Sequence, residues 1–219
     1  MGQFRMGWFR IALLTVVAKP LARIFTGCDV LGREHLPTQG PAIIAANHAS
    51  HVDTLLLLTM FPARTLGRVR PAAAADYFLK GPVMSWFSRN VIGIVPVERA
   101  RAGQGQDVLA PLREALAAGD IVIIFPEGTR GDGEAMAQLK SGVARLAEAF
   151  PAASVTPAWL QGAGRVLPKG ASIPVPMNCT VLVGEAFAWA GDKDAFMEGL
   201  RTRLEALKAK APPQRWADG

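Results

Sequence analysis

Two short runs constrain the fold of this chain most: Ala42–Ala46 (AIIAA), between Gly40-Pro41 and Asn47, and residues 121–125 (IVIIF), between Gly119-Asp120 and Pro126. Each is a continuous apolar stretch bounded by turn formers, the pattern of a strand buried on both faces. Such strands need helices above and below them. Further strand-like stretches lie at 72–75, 93–97 (GIVPV), 154–160 and 179–183. Pro96 places the 93–97 strand at a sheet edge or a bulge, because it cannot donate to a ladder on both sides. Helical patterns fall between the strands, at Val52–Met60 (stopping at Phe61-Pro62), 77–89, 106–118, 142–150 and 192–210. This alternation predicts an α/β fold, a single domain with a mostly buried mixed sheet flanked by helices. The glycine- and proline-rich stretch 161–176 reads as a long surface loop.

The amino-terminal segment follows a different pattern. Half of the 219 residues are hydrophobic, yet no stretch approaches the ~18 consecutive apolar residues of a spanning helix. A helix over 4–18 would be ~22 Å long, short of a hydrocarbon core of ~30 Å. Its apolar residues lie nearly all round, interrupted mainly by Arg5 and Arg10. These features predict a membrane-associating helical segment over 1–26, dipping into one leaflet with Trp8 and the arginines at headgroup level. The alternative is a core helix of the domain. Residues 27–211 then form the main domain and 212–219 a tail.

Charge agrees with an anionic surface or a phosphate-bearing ligand. Residues 1–101 hold 12 Lys/Arg against 5 Asp/Glu, and the remainder 12 against 13. Nucleic acid is disfavoured, since the basic residues form no run and little aromatic character is interleaved with them. Cys28 and Cys179 form neither a CxxC nor a metal spacing, and read as buried thiols in a reducing compartment.

The chemistry concentrates at Asn47-His48-Ala49-Ser50-His51-Val52-Asp53, directly after a buried strand and opening a helix. Such a turn delivers side chains to the crevice at the carboxyl end of a sheet. His48 and Asp53 are five apart, a poor helical spacing. With His48 in the turn and Asp53 in the first helical turn, the carboxylate can still fold back onto Nδ1. Nε2 is then left to take a proton from a hydroxyl, a base and its orienting acid without an enzymic serine. Asn47 or Ser50 can cap the helix. Metal ligation by His48, His51 and Asp53 is the competing reading, but the only other histidine is His35 and no further ligand cluster appears.

A second constellation is Phe125-Pro126-Glu127-Gly128-Thr129-Arg130 at the end of the IVIIF strand. It offers backbone amides, a hydroxyl and a guanidinium, and Arg99 ends another strand that can converge on the same crevice. Two arginines suit a phosphate monoester, although Arg130 with Glu127, or Arg99 with Glu98, could be no more than structural pairs. Tyr77, Phe78, Trp86 and Phe87 are spaced as a buried helix face. Arg201, Arg203, Lys208 and Lys210 read as a solvated one.

Together these blocks resemble the glycerolipid acyltransferase family. NHASHVD matches its N-H-x4-D block, residues 93–99 (GIVPVER) resemble its second, FPEGTR is its third in full, and Val155-Thr156-Pro157-Ala158 resemble its fourth, in the same order. The resemblance spans about 30–185. It implies transfer of a fatty acyl group from acyl-CoA or acyl-carrier protein, with no other cofactor and no metal, to the hydroxyl of a lysophospholipid. His48 would act as base and Asp53 as its orienter, with direct attack and no acyl-enzyme. Arg99, Glu127, Gly128, Thr129 and Arg130 would hold the glycerol phosphate of 1-acylglycerol-3-phosphate, with Lys140 as a second cation, giving phosphatidic acid. With the apolar surplus and the amino-terminal segment, the expected position is peripheral, on the cytoplasmic face of the inner or cell membrane. Two departures stand out: Gly131 where the family often has serine, and Ala74-Ala75-Asp76 where many members carry a lysine. The second opens the way to another acceptor, such as lyso-ornithine lipid. A lipid-binding protein without catalysis is the remaining alternative.

Overall fold

The computed structural model describes residues 7–50, 52–75, 81–98, 107–131, 136–167 and 175–213. Its centre is a seven-stranded sheet: β1 (Asp29–Leu31), β2 (Ala42–Ala46), β3 (Val69–Ala74), β4 (Val95–Val97), β5 (Ile121–Ile124), β6 (Ser154–Gln161) and β7 (Thr180–Val183). The spatial order is β1-β7-β6-β2-β5-β3-β4. All neighbours run parallel except β6 and β7, so the sheet is mixed, as expected.

The two apolar runs lie side by side at its centre, Ala42 opposite Ile121 and Ala45 opposite Ile124. Alternation along them divides the core. Ile44, Ile121 and Ile123 face a layer with Leu56, Leu57, Leu58 and Met60. Ile43, Ala45 and Val122 face Leu112, Leu116, Val143, Leu146, Leu200 and Leu204. Helices therefore cover both faces, Val52–Met60 on one, Ala110–Ala117, Gly142–Ala149 and Lys193–Lys210 on the other. Lys193–Lys210 is capped by Asp192, whose carboxylate accepts from the Ala195 amide at 2.6 Å. β4 is an edge strand, which accommodates Pro96. Pro71 and Pro157 are also accepted inside strands. β1 carries no sequence signal: it is three residues long and borrows its order from β7. The 161–176 stretch contains a one-turn helix, Ala163–Val166.

The amino-terminal segment departs from expectation in three ways. The helix does not stop near residue 18; it runs through a π-helical stretch, Leu13–Ala18, and on through Lys19–Thr26 to Gly27, in the left-handed conformation. It is not a separate unit beside 27–211, because Leu14 and Ala22 belong to the domain core. Arg10, expected at lipid headgroups, is 1% exposed. Its Nε donates to Val91 O at 2.9 Å, Nη2 to Val69 O at 3.0 Å and Ile92 O at 2.8 Å, and Nη1 to Leu66 O. Burial pulls this guanidinium down to about 9, with Arg70 adding to the effect and Asp120 opposing it. Arg5 lies outside the described residues.

The opposite face of the same helix is apolar and exposed, with Trp8, Phe9, Val16, Leu21 and Ile24 pointing outward. Trp86 and Phe87, expected in the core, are exposed too. They sit on the short helix Pro82–Phe87, whose continuation Ser88–Ile92 packs against Trp8–Ala12. Tyr77 and Phe78 lie outside the described residues. No helix among the described residues is long and apolar enough to cross a membrane.

Candidate active site

Four strands, β2, β5, β6 and β4, carry the four sequence blocks, and their parallel pairing through β3 puts every carboxyl end at one edge of the sheet. From β2 the chain moves to β3 and β4, returns to β5, then crosses to β6 on the other side of β2. A ligand crevice forms at such a reversal, outside the carboxyl ends.

His48 stands two residues beyond β2. Asp53, in the first turn of Val52–Met60, folds back so that its Oδ2 accepts from His48 Nδ1 at 2.9 Å. The same oxygen accepts from the amides of Ala49 at 2.7 Å and Ser50 at 2.8 Å. Those two amide bonds are what make the five-residue spacing work. Asp53 is fully buried, whereas the His48 side chain is 18% exposed. The imidazole stacks on Phe125, centroid to centroid 4.2 Å and 21° between planes. Among the described residues nothing hydrogen-bonds Nε2. The ring is thus held by its Nδ1 edge and one face. Ser50, not Asn47, caps the helix, its Oγ accepting from the Val52 amide at 3.3 Å. Asn47 instead extends the β2–β6 ladder: its side chain donates to Leu160 O at 3.0 Å and accepts from Leu160 N at 2.7 Å.

Glu127, expected at the acceptor, is held among backbone amides. It is 4% exposed. Its Oε1 accepts from the His48 amide at 2.9 Å and Oε2 from the Ala137 amide at 3.3 Å. With the Gly131 amide donating to His48 O at 2.8 Å, it straps the turn carrying His48 to the FPEGTR turn. Both carboxylate oxygens of Glu127 are thus engaged by backbone amides of the protein, one of them that of His48. The β2–β5 register, which sets residue 48 level with residue 127, is the signal that could have revealed this. Burial raises its carboxyl above the ordinary range, outweighing the lowering by the two amides. A raised acid contributes stability that is fully present below its ordinary pKa and lost as pH rises through the raised value. Glu127→Gln keeps one acceptor oxygen but turns an NH2 toward the other amide. Urea unfolding is expected to show a loss of about 1–3 kcal/mol, largest at acidic pH and shrinking as pH rises; no loss would mean the strap is dispensable.

Gly128 is in the left-handed region at φ +69, and a Cβ there would lie 2.6 Å from Lys140 Nζ. Glycine is thus favoured by the turn, and the Lys140 side chain lies across it. Lys140 is tied in from its backbone as well, its amide donating to Pro126 O at 2.8 Å. The structure brings together His48, Asp53, Glu127, Gly128 and Lys140, with Thr129 exposed and Arg130 half-buried in the same turn. Arg99 and His51 lie outside the described residues. Phe125 as a platform for the His48 ring was not anticipated; its place one residue past β5, beside the end of β2, is the clue.

Comparison with known proteins gives the same picture. The chain is 30% identical over 147 residues to the chloroplastic 1-acyl-sn-glycerol-3-phosphate acyltransferase LPAT1 of Arabidopsis thaliana, covering 67% of this chain and 39% of that protein. It is 30% identical over 122 residues to 1-acyl-sn-glycerol-3-phosphate acyltransferase alpha of Homo sapiens, covering 54% and 40%. To the lyso-ornithine lipid O-acyltransferase of Rhizobium meliloti it is 27% identical over 140 residues, covering 62% and 40%. The chain thus spans about two fifths of the length of these relatives. Its fold matches the crystal structure of the 1-acyl-sn-glycerophosphate (LPA) acyltransferase PlsC from Thermotoga maritima, with a TM-score of 0.75, 21% identity, and coverage of 95% of this chain and 81% of that one. The acyltransferase family model matches residues 27–161, more than half of the chain, taking in the His48–Asp53 turn, FPEGTR and β6. With those blocks converging on one crevice, the chain belongs to the acyltransferase family.

Proposed function

We propose that this protein transfers a fatty acyl group from an acyl thioester, acyl-CoA or acyl-carrier protein, to the free hydroxyl of 1-acylglycerol-3-phosphate, giving phosphatidic acid. The observation that carries the reading is the His48–Asp53 pair, whose Nε2 has no hydrogen-bond partner among the described residues, beside the turn of Arg130 with the Lys140 side chain lying across it. Nε2 removes the hydroxyl proton as that oxygen attacks the thioester carbonyl carbon. The tetrahedral oxyanion collapses, the C–S bond breaks, and the imidazolium returns the proton to the thiolate. Asp53 holds the ring and stabilises its charged form throughout. Family membership and the names of the relatives support this substrate class.

A second acceptor, lyso-ornithine lipid, is favoured by two observations: Ala74-Ala75-Asp76 where many family members carry a lysine, and the similarity to the Rhizobium meliloti enzyme. Thiol release from palmitoyl-CoA with each acceptor in turn decides between them. Release that needs lysophosphatidic acid supports the first reading. Release only with the other acceptor moves the substrate, and silence with both thioester donors overturns both.

The protein acts, on this reading, as a peripheral membrane enzyme at the cytoplasmic face. Trp8 is 81% exposed, Ile24 73% and Val16 71%, too much apolar surface on one helix to leave in water. Trp86 and Phe87 extend the face beside it. Deleting the segment would strip Leu14, Ala22 and Arg10 from the interior, so surface substitutions are the cleaner test. Val16→Glu with Ile24→Glu is expected to lower partitioning onto anionic vesicles by about 10-fold or more, at ~1.5–3 kcal/mol of apolar burial per residue, without altering the thermal melt. Unchanged co-sedimentation would remove the anchor.

A further inference from the structure

We infer that Arg10 is a positioning residue for the acceptor site, fixing the edge strand that carries the second sequence block; the inference rests on the functional reading above. β4 is the least supported strand on its side of the sheet. It has three residues, one neighbour and three register pairs, Ala72 with Val95, Ala73 with Pro96 and Ala74 with Val97. Its proline supplies no amide. The placement of Val95–Val97, and of Glu98 after it, must therefore come partly from elsewhere.

Arg10 supplies it. The helical stretch Ser88–Ile92 ends at Gly93, in the left-handed conformation, with the Ile94 amide reaching back to Ser88 O at 2.9 Å. A terminus of this kind leaves carbonyls of the last turn without amide partners. Those of Val91 and Ile92 are taken by the guanidinium. Its remaining bonds go to Leu66 O, at the end of the Ala63–Leu66 helix, and to Val69 O, the first residue of β3. One side chain thus joins the entrances of the edge strand β4 and its neighbour β3. Four donors directed to two different segments are what a guanidinium has and an ammonium lacks.

Gly93 shows that the space is shaped for this contact. A Cβ at that position would fall 2.6 Å from Nη2 and 2.9 Å from Cζ of Arg10. The glycine that opens the second block is therefore also the opening through which Arg10 reaches the carbonyls. Because Arg10 sits on the amino-terminal helix, the helix that bears the outward apolar face is tied by hydrogen bonds to the segment that enters β4.

Arg10→Met, which keeps the stem and removes the donors, tests this on two independent readouts. Amide exchange in peptides covering 94–98 is expected to accelerate at least 10-fold while β2 and β5 keep their protection. The KM for lysophosphatidic acid is expected to rise about 10-fold, with the KM for palmitoyl-CoA and kcat unchanged. Arg10→Lys should fall between the two proteins, and carries the same measurements if the Met variant does not fold. Equal acceleration in β2, β5 and β4, or an unchanged acceptor KM in a folded variant, would reduce Arg10 to a stability residue and overturn the inference. A wild-type protein that does not acylate lysophosphatidic acid would sink the functional reading instead, and the exchange pattern would still decide the coupling.

Discussion

Replacing His48 by Ala is expected to lower kcat for acyl transfer by about 10²- to 10⁴-fold, toward the upper end, the range a positioned general base contributes, while the protein stays folded. The structural duties of residue 48 belong to its backbone: its amide donates to Glu127 and its carbonyl accepts from Gly131. Alanine keeps both. Asp53 Oδ2 loses Nδ1 but retains the Ala49 and Ser50 amides, so no carboxylate is left bare. The stacking contact with Phe125 is lost, at a small cost. Thiol release at saturating acceptor, with a thermal melt beside it, checks the prediction. A fall in kcat at unchanged KM is the signature of a group acting only in the transition state. A variant retaining more than a tenth of the wild-type rate would take His48 out of the chemistry.

Asp53→Asn is expected to cost less, about 10²- to 10³-fold in kcat, for a reason specific to this turn. In a serine-protease triad the corresponding amide substitution leaves the histidine in the wrong tautomer, and costs about 10⁴-fold. Here the amides of Ala49 and Ser50 both point at the position of Oδ2. Asparagine must place its carbonyl oxygen there, because its NH2 would face two donors. Nδ1 therefore keeps its proton and its acceptor, and only the negative charge that steadies the imidazolium disappears. The displaced NH2 falls where Oδ1 now lies, buried and without a partner among the described residues. Stability should drop by about 1–3 kcal/mol. Asp53→Ala, which removes the acceptor from both amides as well as from His48, should be worse on both counts. Steady-state rates and urea titration of the two variants separate charge from orientation. Equal loss in both would assign Asp53 to holding the turn alone.

The central strands were legible because burial on both faces leaves a strand no polar positions: AIIAA and IVIIF admit no other reading at that length. The edges were not. β1 is three residues, Asp29–Leu31, one of them charged, and exists because β7 offers it a ladder. Trp86 and Phe87 have the spacing of a buried face, but spacing says which residues share a side of a helix and not what lies opposite that side. The same limit applies to Arg10, which interrupts an apolar pattern in the sequence as a surface arginine would. Only the meeting of carbonyls from Leu66, Val69, Val91 and Ile92 makes an interior place for it.

By itself, the sequence determined the fold class, the order of the central elements and the chemistry on offer: a histidine and an aspartate across one turn, and an amide-, hydroxyl- and arginine-bearing turn after a buried strand. These are properties of local pattern and residue type, which survive without knowing the neighbours. The tertiary structure decided what each group does with its neighbours. Glu127 became the strap behind His48 because the β2–β5 register sets the two level. Asn47 joined β2 to β6 because those strands run parallel to a common end. Long-range pairing of this kind is fixed by how the sheet closes, and it leaves no periodic mark on the chain.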